Sequence, residues 1–200
     1  MTRQPAGLRG AHRLSATVLA VFLTLHLGNH LAGLAGQAAH TGVLHALRPV
    51  YRNPIIEPLL IGLFVWQAAS GLRLAWRFRR AKGWPRVQAM SGCYLSLFLL
   101  IHISVVLGAR AVSGTDTDLA FAAAGLHAGG AWPWVFAPYY GLAVAALFAH
   151  LSVPLRHRFG PAAGYASVAA GAALGVTLVL LLAGVIVPLI IPATLIAAFP

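Results

Sequence analysis

Histidines placed along apolar segments are the residues whose chemistry stands out in this chain. His26 and His30 lie four residues apart in one apolar run, and His102 and His150 lie in two others. Residues four apart share one face of a helix, and a neutral imidazole is a good ligand for iron. Imidazoles on facing helices in an apolar bundle are typical of a haem iron held between two axial ligands.

The composition defines the environment of these histidines. The 200 residues are 60% hydrophobic and 8% charged, with a mean hydropathy of +0.82, whereas about a quarter of the residues of a soluble domain are charged. We therefore predict an all-α integral membrane protein, since the hydrophobicity also excludes intrinsic disorder. The single cysteine excludes a disulfide scaffold and a cysteine-rich zinc or iron–sulfur site.

Five apolar stretches are long enough to span a bilayer, which takes about 20 residues for each helix. They predict one transmembrane domain over residues 1–200, folded as a five-helix bundle. The fifth stretch exceeds one span, and Pro188 and Pro192 are expected to kink or end it. The predicted spans cover residues 14–35, 55–76, 88–110, 134–155 and 165–199.

The basic residues predict the orientation of the bundle. Lys and Arg collect on cytoplasmic loops, so the side that carries eleven of the 14 is predicted to be inside, with the N-terminus inside and the C-terminus outside. Because these residues cluster between apolar segments, the net charge of +11 indicates membrane topology and no nucleic-acid partner is expected. The inner residues are Arg3, Arg9, Arg13, Arg73, Arg77, Arg79, Arg80, Lys82, Arg86, Arg156 and Arg158. The outer charged residues are Arg48, Arg52, Arg110, Glu57, Asp116 and Asp118.

The helical rise separates the intramembrane polar residues into two layers. At 1.5 Å per residue, His26, His30 and His102 lie roughly 18–24 Å above the inner ends of their helices. Gln67 and His150 lie roughly 7–14 Å above the inner ends of theirs. The outer layer is therefore expected to hold three imidazoles, and the inner layer an imidazole opposite an amide.

The remaining histidines lie at span ends or in loops. We expect all of them to be solvated. Two of them lie nearest the inner side, and one of these two is a candidate to contact a haem propionate. For each intramembrane histidine, a hydrogen bond to a neighbouring helix is the alternative role. The outer loops 36–53 and 111–131 are long enough to be structured. The loop and span-end histidines are His12, His40, His45, His127 and His157, of which His12 and His157 are the propionate candidates.

Four short motifs follow one another in an order and spacing that match a known family. They are HRLSATVLAVFLTLHLGNHL in helix 1, EPLLIGLFVWQAASG in helix 2, QAMSGCYLSLFLLIH in helix 3 and YYGLAVAALFAHLS in helix 4. Together, over about residues 12–155, they resemble the five-helix, dihaem cytochrome b membrane anchor of succinate dehydrogenase and fumarate reductase.

The resemblance implies a set of haem ligands. The family's first ligand corresponds to His26 or His30, its third to His102 and its fourth to His150, while Gln67 stands where the family has its second. The family pairs the first ligand with the third and the second with the fourth. The resemblance therefore implies an intact outer site and an inner site with Gln67 facing His150. One haem b is expected, with two as the alternative.

The resemblance also implies a function and partners. The chain would anchor a soluble flavoprotein and iron–sulfur pair to a bacterial-type inner (cytoplasmic) membrane and pass electrons between that pair and membrane quinone. It would not be catalytic alone. The basic segment 73–86 would face the partners, and Glu57 would be the proton acceptor at a quinone pocket near the outer haem. An ion pair of Glu57 with Arg52, or a helix cap, is the alternative role.

Two other functions fit the same scaffold. The first is a haem-free membrane scaffold or assembly protein, in which the polar residues only join helices; the glutamine at position 67 favours it. The second is a transporter or proton channel, although the spans hold few acidic residues. No Ser/His/Asp arrangement, glycine-rich phosphate loop or HExxH zinc motif indicates a hydrolytic enzyme.

Overall fold

The computed structural model describes residues 6–199 as an all-helical chain. Within that range there is no strand, and eight α-helices are joined by short connections and one 3-10 turn at Gly33–Ala35. Arg3, one of the predicted inner residues, lies outside the described range. The helices are α1 (Ala6–Ala32), α2 (Gln37–Tyr51), α3 (Ile56–Arg77), α4 (Trp84–Ser113), α5 (Leu119–His127), α6 (Trp132–Phe159), α7 (Pro161–Leu182) and α8 (Ala193–Ile196).

Five of these helices, α1, α3, α4, α6 and α7, are long and apolar enough to cross a membrane. The protein is therefore a multi-pass membrane protein with a lipid environment, as the sequence predicted. The basic residues 9, 13, 77, 86 and 156 lie near one end of these helices, which we call the basic end. The acidic residues 57, 116 and 118 lie near the other, which we call the acidic end. The N-inside orientation remains a prediction.

Both long connections at the acidic end contain a helix. The segment 36–53 forms α2, and Asp118 caps α5 by accepting a hydrogen bond from the backbone N–H of Phe121 at 3.0 Å. α5 is buried, with Leu119 1% exposed and Ala123 fully buried. These two short helices close the bundle at this end and bring side chains from outside the spans against it.

The fifth spanning helix is shorter than the apolar stretch that predicted it. α7 ends at Leu182, and the chain turns at Gly184, whose φ of +71° lies in the left-handed region. The N–H groups of Gly184 and Val185 bond back to the carbonyls of Leu181 and Leu180, which is a glycine-terminated helix end. Glycine, and not the prolines at 188 and 192, therefore ends this helix. The segment that follows packs on the start of α6 through Phe199.

α6 and α7 form the closest helix pair, because glycines let their backbones meet. A Cβ added at Gly175 would lie 2.7 Å from the carbonyl oxygen of Gly141. A Cβ at Gly171 would lie 2.3 Å from the Cβ of Phe148. Small residues at such contacts are the usual means by which membrane helices approach one another.

Replacing Gly175 by leucine is expected to lower the free energy of unfolding by about 3 kcal/mol, because the new side chain meets backbone that has no rotamer to change. The midpoint of thermal unfolding in detergent measures this loss. Gly108→Leu is the matched control, since nothing lies within 4 Å of a Cβ at that position. Equal midpoints for the two variants would contradict the tight α6–α7 contact.

Candidate functional site

Four histidines gather in the half of the bundle that is nearest the acidic end. The ring centroid of His26 lies 6.1 Å from that of His102 and 4.9 Å from that of His30. The ring of His40, from α2, lies 5.6 Å from that of His30. We call these four side chains the histidine cluster. The single layer that helical rise predicted for the three intramembrane histidines is therefore present, and a fourth histidine joins it.

A phenylalanine one helical turn earlier holds each of the two facing imidazoles. Phe22 stacks on His26 with ring centroids 5.5 Å apart and planes 12° apart. Phe98 stacks on His102 with centroids 5.2 Å apart and planes 15° apart. Because a stacked neighbour restricts ring rotation, the two phenylalanines orient the two imidazoles. The repeated Phe-x-x-x-His spacing is visible in the sequence and is a local signal for these two positions.

His26 and His102 each keep part of their surface accessible. Both side chains lie deep among protein atoms, yet each is only half-buried by its accessible surface. α1 packs mainly on α3, and α4 packs on α3 and α6, so α1 and α4 do not close on each other. Within residues 6–199, neither ring has a hydrogen-bond partner. Polar groups at membrane depth that have no protein partner usually bind a ligand, an ion or water.

The separation of His26 and His102 is compatible with two ligands of one metal. Two imidazoles that bind a metal from opposite sides, with metal–nitrogen bonds of about 2 Å, place their ring centroids roughly 6 Å apart. The observed distance is 6.1 Å. His30 fits this role less well, because its ring packs between those of His26 and His40. The geometry therefore favours His26 where the sequence left His26 and His30 as alternatives.

His40 differs from the sequence expectation of a solvated side chain. It is 2% exposed, and the amide Nδ2 of Asn29 donates to its Nε2 at 3.2 Å. Burial lowers the pKa of His40, with a smaller opposing effect from Asp118. His127 is also engaged, since its Nε2 donates to a carbonyl of the last turn of α7 at 2.9 Å. The sequence missed both because the burial of a loop histidine depends on where the loop folds.

Acid is expected to destabilise the protein through His40. Its folded pKa lies below the ordinary value of 6.5, so the unfolded chain binds more protons as the pH falls through 6.5, and stability is lost there. His40→Gln should make the fall in unfolding midpoint between pH 7 and pH 5 shallower. His45→Gln, at an exposed position of the same helix, should leave it unchanged. Parallel pH profiles for both variants and the parent would contradict this assignment.

Nearer the basic end, α1 holds Gln67 in a hydrogen-bonded network. The hydroxyl of Ser15 donates to Oε1 of Gln67 at 2.6 Å, and Nε2 of Gln67 donates to Nε2 of His12 at 3.1 Å. Nδ1 of His12 then donates to Oγ of Ser70 at 2.8 Å, and that hydroxyl donates to the carbonyl of Trp66. We call this set the glutamine network. His12, expected to be solvated, is thus part of an interhelical contact.

His150 lies against α4 and keeps one nitrogen free. Its Nδ1 donates to the carbonyl of Gln88 at 3.0 Å, and a Cβ at Gly92 would meet its ring at 3.1 Å. A metal-ligating histidine typically donates its second N–H in this way. The sequence placed Gln67 opposite this ring, but the amide of Gln67 is engaged by α1. This layer therefore offers one imidazole nitrogen to a ligand.

Glu57 is ion-paired at the acidic end, with an arginine other than the expected one. Both of its carboxylate oxygens accept from the guanidinium of Arg110, the second at 3.2 Å. Arg52, the expected partner, lies 3.6 Å from Asp116 instead. The side chains of Glu57 and Arg110 are each about a quarter exposed, at 25% and 26%. The carboxylate is therefore held at the boundary between the spans and the end helices.

Comparison with known proteins assigns no function to this chain. In the described part of the chain, no group of three or more His, Cys, Asp or Glu residues is arranged to hold a metal ion. Comparisons of the chain with protein-family models, curated proteins and solved structures find no match. The pair His26 and His102 is still sufficient for a haem, because a haem iron needs only two protein ligands.

Proposed function

We propose that this protein is a b-type cytochrome that holds one haem between α1 and α4, and that His26 and His102 would hold its iron. The observation that carries the proposal is the 6.1 Å separation of these two imidazoles, which have no other hydrogen-bond partner among the described residues. A bis-histidine haem would supply a one-electron carrier inside the membrane.

The chain's own residues contribute binding, orientation and exclusion of water. The imidazoles offer neutral nitrogen ligands, and Phe22 and Phe98 restrict their rotation. The apolar spans keep the surroundings poor in water and in charge, which is one of the means by which a protein adjusts a haem potential. These contributions require no residue of the glutamine network.

We further propose that the protein anchors a soluble flavoprotein and iron–sulfur pair and exchanges electrons between it and membrane quinone. The motifs that resemble the succinate dehydrogenase and fumarate reductase anchor support this role. The basic segment 73–86 provides a cationic face for such partners. Glu57 is the proposed proton acceptor at the quinone pocket, and it would have to leave its ion pair with Arg110 to take up a proton.

The second candidate function is a haem-free membrane scaffold or assembly protein. The glutamine network favours it, because Gln67, His12 and two serines satisfy one another across α1 and α3 without a ligand. In this alternative, the contact of His26 with His102, with planes 71° apart, is only an edge-to-face ring contact.

A dithionite-reduced minus oxidised spectrum of the purified protein separates the two candidates. The cytochrome proposal predicts about one b-type haem per chain when haem is quantified against protein. Protein produced with ample haem supply that contains none would overturn it and leave the scaffold function. About two haems per chain would mean that the glutamine at position 67 does not prevent a second site.

A further inference from the structure

All three basic residues at the acidic end line one cavity. Arg48 lies in α2, Arg52 caps the C-terminal end of α2, and Arg110 comes from the last turns of α4. The cavity has a volume of about 300 Å³, and Gly114, Thr115 and Asp116 complete its lining. We call it the arginine cavity. Residues separated by about 60 positions in the sequence thus bring three guanidinium groups to one place.

The carboxylates at the arginine cavity do not balance its positive charge. Asp116 is ion-paired with Arg48 and lies 3.6 Å from Arg52. Glu57 is taken by Arg110. Asp118, the remaining acidic residue, caps α5 and lines a neighbouring cavity. Three cations therefore face two carboxylates, which leaves one unit of positive charge.

The arginines also retain donors that the carboxylates do not use. A guanidinium has five N–H donors. Nε of Arg48 is buried and has no hydrogen-bond partner in the described chain, and Arg52 donates to Thr117 at 3.1 Å only through Nη2. Burial, together with Arg48 and Arg110, lowers the pKa of Arg52. The clustered cations therefore leave both charge and hydrogen-bonding capacity for an anion.

The arginine cavity lies where the spans meet the end helices. Glu57 is in the first turn of α3 and Arg110 is near the end of α4. The same turns carry strongly exposed apolar side chains, with Leu59 61% and Val112 87% exposed. A ligand that combines one negative charge with long apolar chains matches both features, because the apolar helix faces are available to lipid tails.

We propose that the arginine cavity binds the phosphate of a phospholipid, with the acyl chains along the lipid-facing sides of α3 and α4. A phosphodiester has one negative charge, which equals the charge left by the ion pairs, and its oxygens accept the forked donors of arginine. The headgroup would join α2 to the ends of α3 and α4. This proposal is independent of haem binding.

The test is lipid retention by the purified protein, measured by native mass spectrometry. Protein freed of lipid by detergent washing is mixed with phosphatidylglycerol, and the lipid that remains bound at the tightest site is counted. Arg52→Gln should weaken that binding roughly fivefold, since one arginine near a lipid headgroup contributes about 1 kcal/mol. Thr115→Phe, which fills the arginine cavity and keeps every charge, should also weaken it. Arg79→Gln, which removes an arginine at the basic end, should leave the tightest binding unchanged.

Three results would overturn the proposal. In the first, both cavity variants retain phosphatidylglycerol as well as the parent protein. In the second, Arg79→Gln weakens binding as much as they do, because the effect would then be general charge attraction. In the third, inorganic phosphate alone displaces the lipid at millimolar concentration, because the site would then be one for a free anion. The haem content of each variant, read from the same preparation, keeps this result separate from the cytochrome proposal.

Discussion

Alanine in place of His102 is expected to reduce bound haem from about one per chain to almost none. The imidazole of His102 is one of the two side chains proposed to hold the haem iron, and it lies 6.1 Å from the other, His26, between ring centroids. His26→Ala should have the same effect. The measurement is haem per protein from the reduced minus oxidised spectrum, with helical circular dichroism to show that each variant is folded.

Two histidines of the same bundle provide matched controls for this loss. His30→Ala should keep haem, because His30 packs on His26 and His40. His150→Ala should also keep it, because His150 is bonded to Gln88 near the basic end. If His30→Ala loses haem and His26→Ala keeps it, the ligand on α1 would be His30, one helical turn further along, instead of His26. Retention in all four variants would remove the basis for the proposed site.

Histidine in place of Gln67 is expected to increase bound haem from about one to about two per chain. This position corresponds to a ligand in the family that the sequence resembles, and His150 already has the hydrogen bond that typically orients a ligating imidazole. The new imidazole would leave the glutamine network and supply the second nitrogen. The readout is again haem per protein, with a second component in a redox titration.

Gln67→Leu is the control for this gain. It also breaks the glutamine network but provides no metal ligand, so its haem content should stay at that of the parent protein. An unchanged content in Gln67→His, in a variant that remains folded, would show that α3 does not direct this position toward His150. The inner layer, which contains Gln67 and His150, would then have no role in cofactor binding.

The sequence by itself determined the five spans and the distribution of charge between the two ends. Both are local properties, because the length of an apolar run decides whether a helix can cross a bilayer, and basic residues between runs mark one side. Helical rise also determined that His26, His30 and His102 share one layer, since depth along a straight helix depends only on residue count. The end of α7 was less well predicted, because a left-handed glycine ends it before the prolines.

Only the tertiary structure decided how each helix is rotated about its own axis. Depth does not say which way a side chain points, so the contact of His26 with His102 and the engagement of Gln67 by His12 had to come from the packed bundle. The burial of His40 and the meeting of three arginines at one cavity also depend on where α2 folds back against the bundle. These contacts join segments far apart in sequence, and no local pattern of residues specifies them, because their geometry is set by the packing of whole helices.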